Sequence, residues 1–428
     1  MRLQNCQRAN RDANQRERAR HLPPKGGKAA QLKRLLKLWS PFDRKAVNLA
    51  IIKSDGTTTK DSDGAATALS DSWSKVFAPK RINLEKAHQF AKANITPLHL
   101  EEAKLPKQST MLKFLKRAKA SAPGPDGIPI RRLARFWFSR HRRPLPGDAN
   151  DDAWRDPPGF NNSLGIFLPK GTADDDTLGS VKRTAENTRP LGLKNTDNKT
   201  IAAAINPTMS GAIAHWADTQ QNGFICGRQG LSNIIDIDAR TRILDISATA
   251  SAAKPPPLRT SRNRTSAAST PPVKDLPAII LFDFCAAFPS VAHELIMIIC
   301  SAMGLPEGLL YYIRSLYRNN VCIYRGSDSD RTLYKIESGI IQGCPLSGSI
   351  FVLTVDPFLQ LLKRTIPSAT NRAFADDIAT LVQSLQDLPT LKRNFDLFKD
   401  ISGLDLKIKK CAHTARDQPN SRRYQTRH

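Results

Sequence analysis

Three aspartates sit where this chain could best support phosphoryl chemistry. Asp283 follows the run AIILF, residues 278–282, and five apolar or small residues in succession read as a buried strand with one carboxylate at its end. Asp376 and Asp377 lie between two short apolar runs, residues 373–375 and 378–382. That pattern predicts a hairpin with two carboxylates at its tip. Taken singly, each is an ordinary capping or turn aspartate. Together, three carboxylates at the ends of buried strands suit two divalent cations, because Mg²⁺ takes oxygen ligands and completes its octahedron with substrate phosphate. Two such ions about 3.5–4 Å apart can activate an attacking 3′-hydroxyl and stabilise the leaving pyrophosphate oxygen.

The neighbouring segments are the elements that must hold these groups. Phe288 lies five residues beyond Asp283. Pro289 and Ser290 then start a helix with Val291, Leu295, Ile298 and Ile299 on its apolar face and Gly304 at its end. Between the two carboxylate segments, SGIIQGCPLSGSIFVLTVDPFLQLL places Gly339, Gly343 and Gly348 around Gln342 and Pro345, ahead of an apolar helix. Such a turn lets the backbone approach a base pair or sugar closely, although by itself it is also an ordinary strand-to-helix connection. Nearer the N-terminus, residues 46–77 predict a strand, a turn at Asp55-Gly56 and a helix, which is a small ordered element and not a domain.

The 428 residues exceed one compact core and predict two or three domains or subdomains. With 40% hydrophobic residues the bulk is globular, and a net charge of +26 points to a polyanionic partner, nucleic acid first. Charge gathers at the ends: residues 1–45 carry 13 lysines and arginines against 3 acids, and residues 407–428 carry 7 against 1. These ends read as solvated arms, with phosphate contact the sharper alternative. Residues 247–277 are rich in Pro, Ser, Ala and Thr without apolar period and read as a disordered insertion. Seven scattered cysteines without a C-x-x-C pair argue against a disulfide framework or zinc knuckle. There is no signal-peptide core and no apolar run near the ~20 residues of a membrane span. The expectation is a soluble protein of a reducing compartment, nucleus or cytoplasm.

The order of these pieces resembles the palm of a LINE-type, non-LTR retrotransposon reverse transcriptase. The likeness extends upstream through ASAPGPDGIPIRRL (from Ala120), LGIFLPKG with NTRPLGLKNTDNKTIAAAIN, and QQNGFICGRQGLSNIIDI, and downstream through FKDISGLDLKIKKCAHTA. Seven blocks in the family order span about residues 110–411. The resemblance implies that Asp283, Asp376 and Asp377 bind two Mg²⁺ ions, with Mn²⁺ as a possible substitute. It also implies that Phe288 is the aromatic gate beside the sugar 2′ position, and that Gln342 and Gly343 form the loop over the incoming nucleotide. Lys170 and Arg189 become fingers cations for its triphosphate, Arg as a forked donor and Lys as a point charge. Lys410 takes the position of a general acid for pyrophosphate, against the plainer reading of a solvated lysine in a basic tail.

The implied fold is α+β, a right-hand polymerase with fingers and an antiparallel palm sheet, the thumb missing or incomplete. The expected division is a basic arm and pre-fingers extension (1–109), fingers (110–245), a disordered insertion (246–277), palm (278–411) and a disordered basic tail (412–428). The implied reaction is RNA-directed DNA synthesis on a DNA primer from dNTPs, with no membrane partner. A truncated, non-catalytic nucleic-acid-binding remnant and a group II intron-type maturase are the alternatives, the last suggested by RPLGL at 189–193. Two positions depart from the family pattern: Cys344 stands where Asp is commoner and Lys407 where Asn is usual.

Overall fold

A computed structural model of the chain describes residues 48–98, 106, 108–117, 121–130, 132–133, 158–177, 180–252, 277–326, 329–408 and 412–415. Most of the N-terminal arm, residues 253–276 of the insertion, Lys410 and residues 416–428 lie outside the described residues.

The N-terminal element forms as its residues predict. β1 (Asn48–Ile52) and β2 (Thr58–Thr59) pair as a hairpin. Its turn is held by the Asp55 carboxylate, which accepts from Thr57 N and Oγ1, and by Gly56 at φ +82°. Asp61 caps α1 (Ser62–Phe77) by accepting from Gly64 N, and Ala66, Leu69, Trp73 and Phe77 face the core at helical spacing. This element does not stand apart, because β1 pairs in parallel with β4 (Ser180–Thr184) in a β2-β1-β4 sheet. The helices α2 (Leu84–Asn94) and α3 (Gln108–Arg117) follow it.

A second sheet, ordered β5-β3-β7-β8, joins β3 (Ser163–Pro169) and β5 (Thr188–Lys194) to β7 (Val321–Arg325) and β8 (Asp330–Lys335). Strands on both sides of the Asp283 segment therefore share one sheet, and a division by sequence at residue 278 cuts through it. The helix α1 covers this sheet in a cluster built on Trp73, Phe77, Phe167, Leu333 and Tyr334. Two long helices lead away from β5: α4 (Thr196–Trp216) and α5 (Gly230–Ala252). The second corrects the sequence expectation, for it continues helical to Ala252 and so enters the segment read as disordered from residue 246.

The third sheet, ordered β11-β6-β10-β9, is antiparallel throughout. It contains β6 (Ala278–Phe282), β9 (Thr370–Phe374), β10 (Asp377–Val382) and β11 (Ala412–Ala415). β11 corrects a second expectation, because the first four residues of the tail read as disordered form an edge strand on β6. After β6 the chain makes two helices where the sequence predicts one: α6 (Ala287–Ser290), a break at Val291-Ala292, and α7 (His293–Ala302) ended by Gly304 at φ +71°. α8 (Glu307–Leu316) follows. Behind the sheet runs α9 (Ser347–Thr365), buried on nearly every side through its middle turns, as a helix apolar all round must be. α10 (Leu388–Ser402) completes the main core, where Phe358 stacks on Phe398 and meets Phe395 edge-on. Among the described residues no helix is long and apolar enough to cross a membrane.

A buried polar knot joins the second sheet to α8. Lys194 is fully buried and donates through Nζ to Asn161 O and Asn320 Oδ1. Asn161 in turn donates to Ser315 O and Arg318 O, and Asn320 to Leu316 O. Burial pushes the Lys194 pKa down to about 7. The unfolded chain thus binds one more proton than the fold between about pH 7 and the ordinary lysine range near 10. Over that window the folding stability of the parent relative to Lys194→Met should rise with pH, by at most about 1.4 kcal/mol per pH unit. Below pH 7, where both states are protonated, the difference should be flat. Urea unfolding of both proteins from pH 6 to 10 measures it, and a flat difference throughout would mean that the ammonium is not destabilised by burial.

Candidate active site

Asp283 is the first residue past β6. Its carbonyl accepts from Lys407 N at 2.7 Å, Cys285 N donates to Asp405 O at 2.7 Å, and Phe284 bridges Leu406, so the SGLDLKIKK segment holds the strand end from one side. On the other side β10 pairs with β6 in the register Ile378 to Phe282 and Val382 to Ala278. The next position of that register sets Asp377 across from Asp283. β9 and β10 close with Phe374 opposite Asp377, which leaves Ala375 and Asp376 as a two-residue turn. Ala375 adopts φ +59°, a left-handed conformation at a position where two-residue hairpins favour glycine.

These strand ends form one electrostatic unit. Burial holds the Asp376 carboxyl above the ordinary aspartate range, the neighbouring carboxylates of Asp377 and Asp283 raise it further, and Arg189 pulls it down. Asp377, Asp283 and Arg189 of β5 thus lie within electrostatic reach of Asp376. Among the described residues no three Asp, Glu, His or Cys side chains converge closely enough to hold a metal ion by themselves. The donor chemistry still suits Mg²⁺, which binds through one or two carboxylates and takes its remaining ligands from water and phosphate.

Phe288 and the loop carrying Gly339, Gln342 and Gly343 pack as one layer. The Phe288 ring stacks on Phe351 of α9 at 4.3 Å between centroids and meets Phe224 edge-on at 5.6 Å. Ile340 N donates to Phe288 O at 2.7 Å, and a Cβ on Gly339 would lie 2.4 Å from Pro289 O, so the glycine loop sits directly on α6. The same loop reaches β5. Gly192 N donates to Gln342 O at 2.8 Å, and Gly343, at φ +114°, would bring a Cβ within 2.6 Å of Gly192 O. Arg189 is exposed on β5 three residues from Gly192.

Lys170 stands at the same end of the β3–β5 pair as Arg189 but reaches other groups. Its ammonium donates to Glu186 O at 2.9 Å and lies 5.7 Å over the Trp73 ring centroid. Sequence reasoning gave no role to Gly192, Gln221 or Phe224, although each lies in a quoted block. The available signal was the paired Gln220-Gln221 followed by Asn-Gly, a polar run in a segment that has to be buried.

The pattern of the reverse transcriptase (RNA-dependent DNA polymerase) family matches residues 180–424, more than half of the chain. The chain is 24% identical over 358 residues to the transposon TX1 uncharacterized 149 kDa protein of Xenopus laevis, covering 78% of this chain and 24% of that protein. It is 29% identical over 135 residues to the retrovirus-related Pol polyprotein from type-2 retrotransposable element R2DM of Drosophila melanogaster, covering 30% and 13%. The chain thus spans about a quarter or less of the length of these relatives. Among solved structures it is similar to apo telomerase from Candida tropicalis, with a TM-score of 0.41 and 10% identity over 68% of this chain and 50% of that one. The carboxylate pattern and the family match agree, and this chain belongs to the reverse transcriptase (RNA-dependent DNA polymerase) family, with relatives among LINE-type, non-LTR elements.

Proposed function

We propose that this chain transfers a deoxynucleotidyl group from a dNTP to the 3′-hydroxyl of a DNA primer under the direction of an RNA template. The observation that carries this reading is that Asp283 and Asp377 stand at the adjoining ends of the paired strands β6 and β10, with Asp376 in the turn beside them. In the reaction the 3′-hydroxyl gives up its proton to solvent as its oxygen bonds to the α-phosphorus, and the bond between that phosphorus and the α,β-bridging oxygen breaks, releasing pyrophosphate. Asp283, Asp376 and Asp377 would hold two Mg²⁺ ions, which supply charge stabilisation for the attacking and leaving oxygens. Arg189 offers forked donors to the triphosphate. Lys170 would join it on leaving Glu186 O, and Lys410 is retained as a proposed proton donor to pyrophosphate. Phe288, fixed between Phe351 and Phe224, presents a rigid face where a ribose 2′-hydroxyl would have to fit. Gln342 and Gly343 bring backbone close to the nucleotide, and the basic surplus of the chain serves the template–primer phosphates.

Extension of a primer on an RNA template by the purified chain, with Mg²⁺ present and then chelated, tests the reading. Metal-dependent incorporation of the templated dNTP is expected, whereas duplex binding without incorporation would identify a binding remnant. Asp376→Asn should lower incorporation by ~100-fold or more with duplex affinity nearly unchanged, because it removes a ligand and leaves the geometry at the reacting phosphate unsupported.

The same substitution makes a stability prediction with a defined sign. The folded pKa of Asp376 lies above its unfolded value, so the ionised carboxylate destabilises the fold at neutral pH. In EDTA, Asp376→Asn should therefore raise the Tm at pH 7, and the gain should shrink as the pH falls through the folded pKa towards the ordinary aspartate value. A Tm that drops at pH 7 would show that the carboxylate is held by favourable contacts instead.

Phe288→Ala should open space beside the sugar 2′ carbon and lower the ratio of kcat/KM for dNTP over NTP by ~10-fold or more, worth about 1.4 kcal/mol of discrimination per factor of ten. An unchanged ratio accompanied by destabilisation would mark Phe288 as core packing for Phe351 and nothing more.

A further inference from the structure

The turn that carries Asp376 is held from outside its own hairpin. After α4 the chain crosses β9 as a strap, residues 217–228, whose two ends are tied down. At the near end Asp218 N donates to Asp356 Oδ1 at 3.1 Å, and Asp218 accepts from Gln360 and Lys363, so α9 secures it. At the far end Arg228 donates to Asp218 O, Gln221 O, Ala214 O and Ala217 O, gathering the strap and the last turn of α4 around one guanidinium. Between these anchors the strap adds one residue of parallel strand to β9. Ala373 N donates to Gln220 O and Asn222 N to Ala373 O, each at 2.8 Å.

Gln221 lies at the centre of this arrangement and is fully buried. Its Oε1 accepts from Ala375 N at 3.0 Å and from Gly223 N at 2.7 Å, and its Nε2 lies 3.4 Å from Ala375 O, to which it donates. One side-chain amide thus takes both backbone polar groups of Ala375, the residue in left-handed conformation. The Ala375 carbonyl belongs to the peptide plane from which the Asp376 Cα hangs, so holding that oxygen sets the direction in which Asp376 leaves the turn. The fit leaves no slack: a Cβ on Gly223 would lie 2.1 Å from Ala375 N.

We infer that Gln221 is a positioning residue for the carboxylate turn, clamping Ala375 in its left-handed conformation so that Asp376 faces Asp283. The inference rests on the nucleotidyl-transfer reading of Asp376. A glutamine kept only to satisfy the edge of β9 would need no contact with Ala375, since Ala373 already meets the strap backbone and Asn233 Nδ2. The clamp is directed at the residue of the two-residue turn whose backbone disfavours a side chain.

The test uses the full chain and three variants: Gln221→Met, which keeps length and loses the hydrogen bonds, Ala375→Gly, and the double variant. Two readouts are taken, hydrogen exchange across residues 370–380 and single-nucleotide incorporation on an RNA template. In the parent the Ala375 amide should exchange as slowly as the ladder amides of β9. Gln221→Met should speed exchange at the tip at least 10-fold and lower kcat about 30-fold, with KM for dNTP and duplex affinity within 3-fold. Ala375→Gly, which adopts the left-handed turn without a Cβ clash, should recover much of both losses in the Gln221→Met background. Glycine adds flexibility, so it would worsen a defect of simple packing. Fast exchange of the parent Ala375 amide, an unmoved tip in Gln221→Met, or no recovery in the double variant would each overturn the clamp. The parent measurement decides even if Gln221→Met fails to fold. A parent that does not extend primers would refute the nucleotidyl-transfer reading, while the exchange readouts still decide the clamp.

Discussion

Carboxylates brought to one end of an antiparallel ladder repel one another, and the structure around Asp283, Asp376 and Asp377 is organised to hold them there. Repulsion and burial both disfavour the ionised turn, so the ladder alone has little to keep a two-residue loop in place. Support comes from three directions. The 405–407 segment pairs with the end of β6, α9 packs behind the sheet, and the strap between α4 and α5 meets the edge of β9. Each of these contacts joins residues far apart in the chain.

The same economy links the second sheet to the helices beside the carboxylates. The loop after Gly339 lies on α6 through Phe288 O and Val291 O, and on β5 through Gly192 N. The strand that carries Arg189 therefore touches the loop that carries Gln342, and a shift of one is felt by the other. Farther from the site, the buried Lys194 knot ties β5 to α8 through hydrogen bonds to Asn161 O and Asn320 Oδ1. An amine held among backbone and amide oxygens is a directional fastening, and its removal would leave those acceptors without a partner. Phe288 is fixed by a different means, aromatic faces and edges, which resist rotation of a planar ring more strictly than aliphatic packing does.

The elements nearest the carboxylates were legible because their signals are local. An apolar run ending in aspartate reads as a strand whether or not its partner is known. Asp-Asp between two short apolar runs reads as a hairpin, and Asp55-Gly56 as a turn. Local reading failed where a neighbour overrides it. The stretch 287–304 looks like one helix, but Val291 and Ala292 leave the helix where Gly339 N bonds Val291 O and Ala292 N bonds Ser402 O. Residues 412–415, Ala-His-Thr-Ala, show no apolar period, yet the edge of β6 supplies them with a ladder.

Residue order and type by themselves put the aspartates at strand ends and gave the family blocks in which they sit and the basic surplus that suits a nucleic-acid partner. Strand periodicity and strand-end aspartates are properties of a few consecutive residues. Which groups meet was decided by folding alone. No spacing could show that Gln221 takes both backbone groups of Ala375 some 150 residues away, that Gly192 reaches Gln342, or that Lys170 turns to Glu186 while Arg189 acts on Asp376. A side chain's hydrogen-bond partner is set by the packing of several elements at once, and a sequence window contains only one of them.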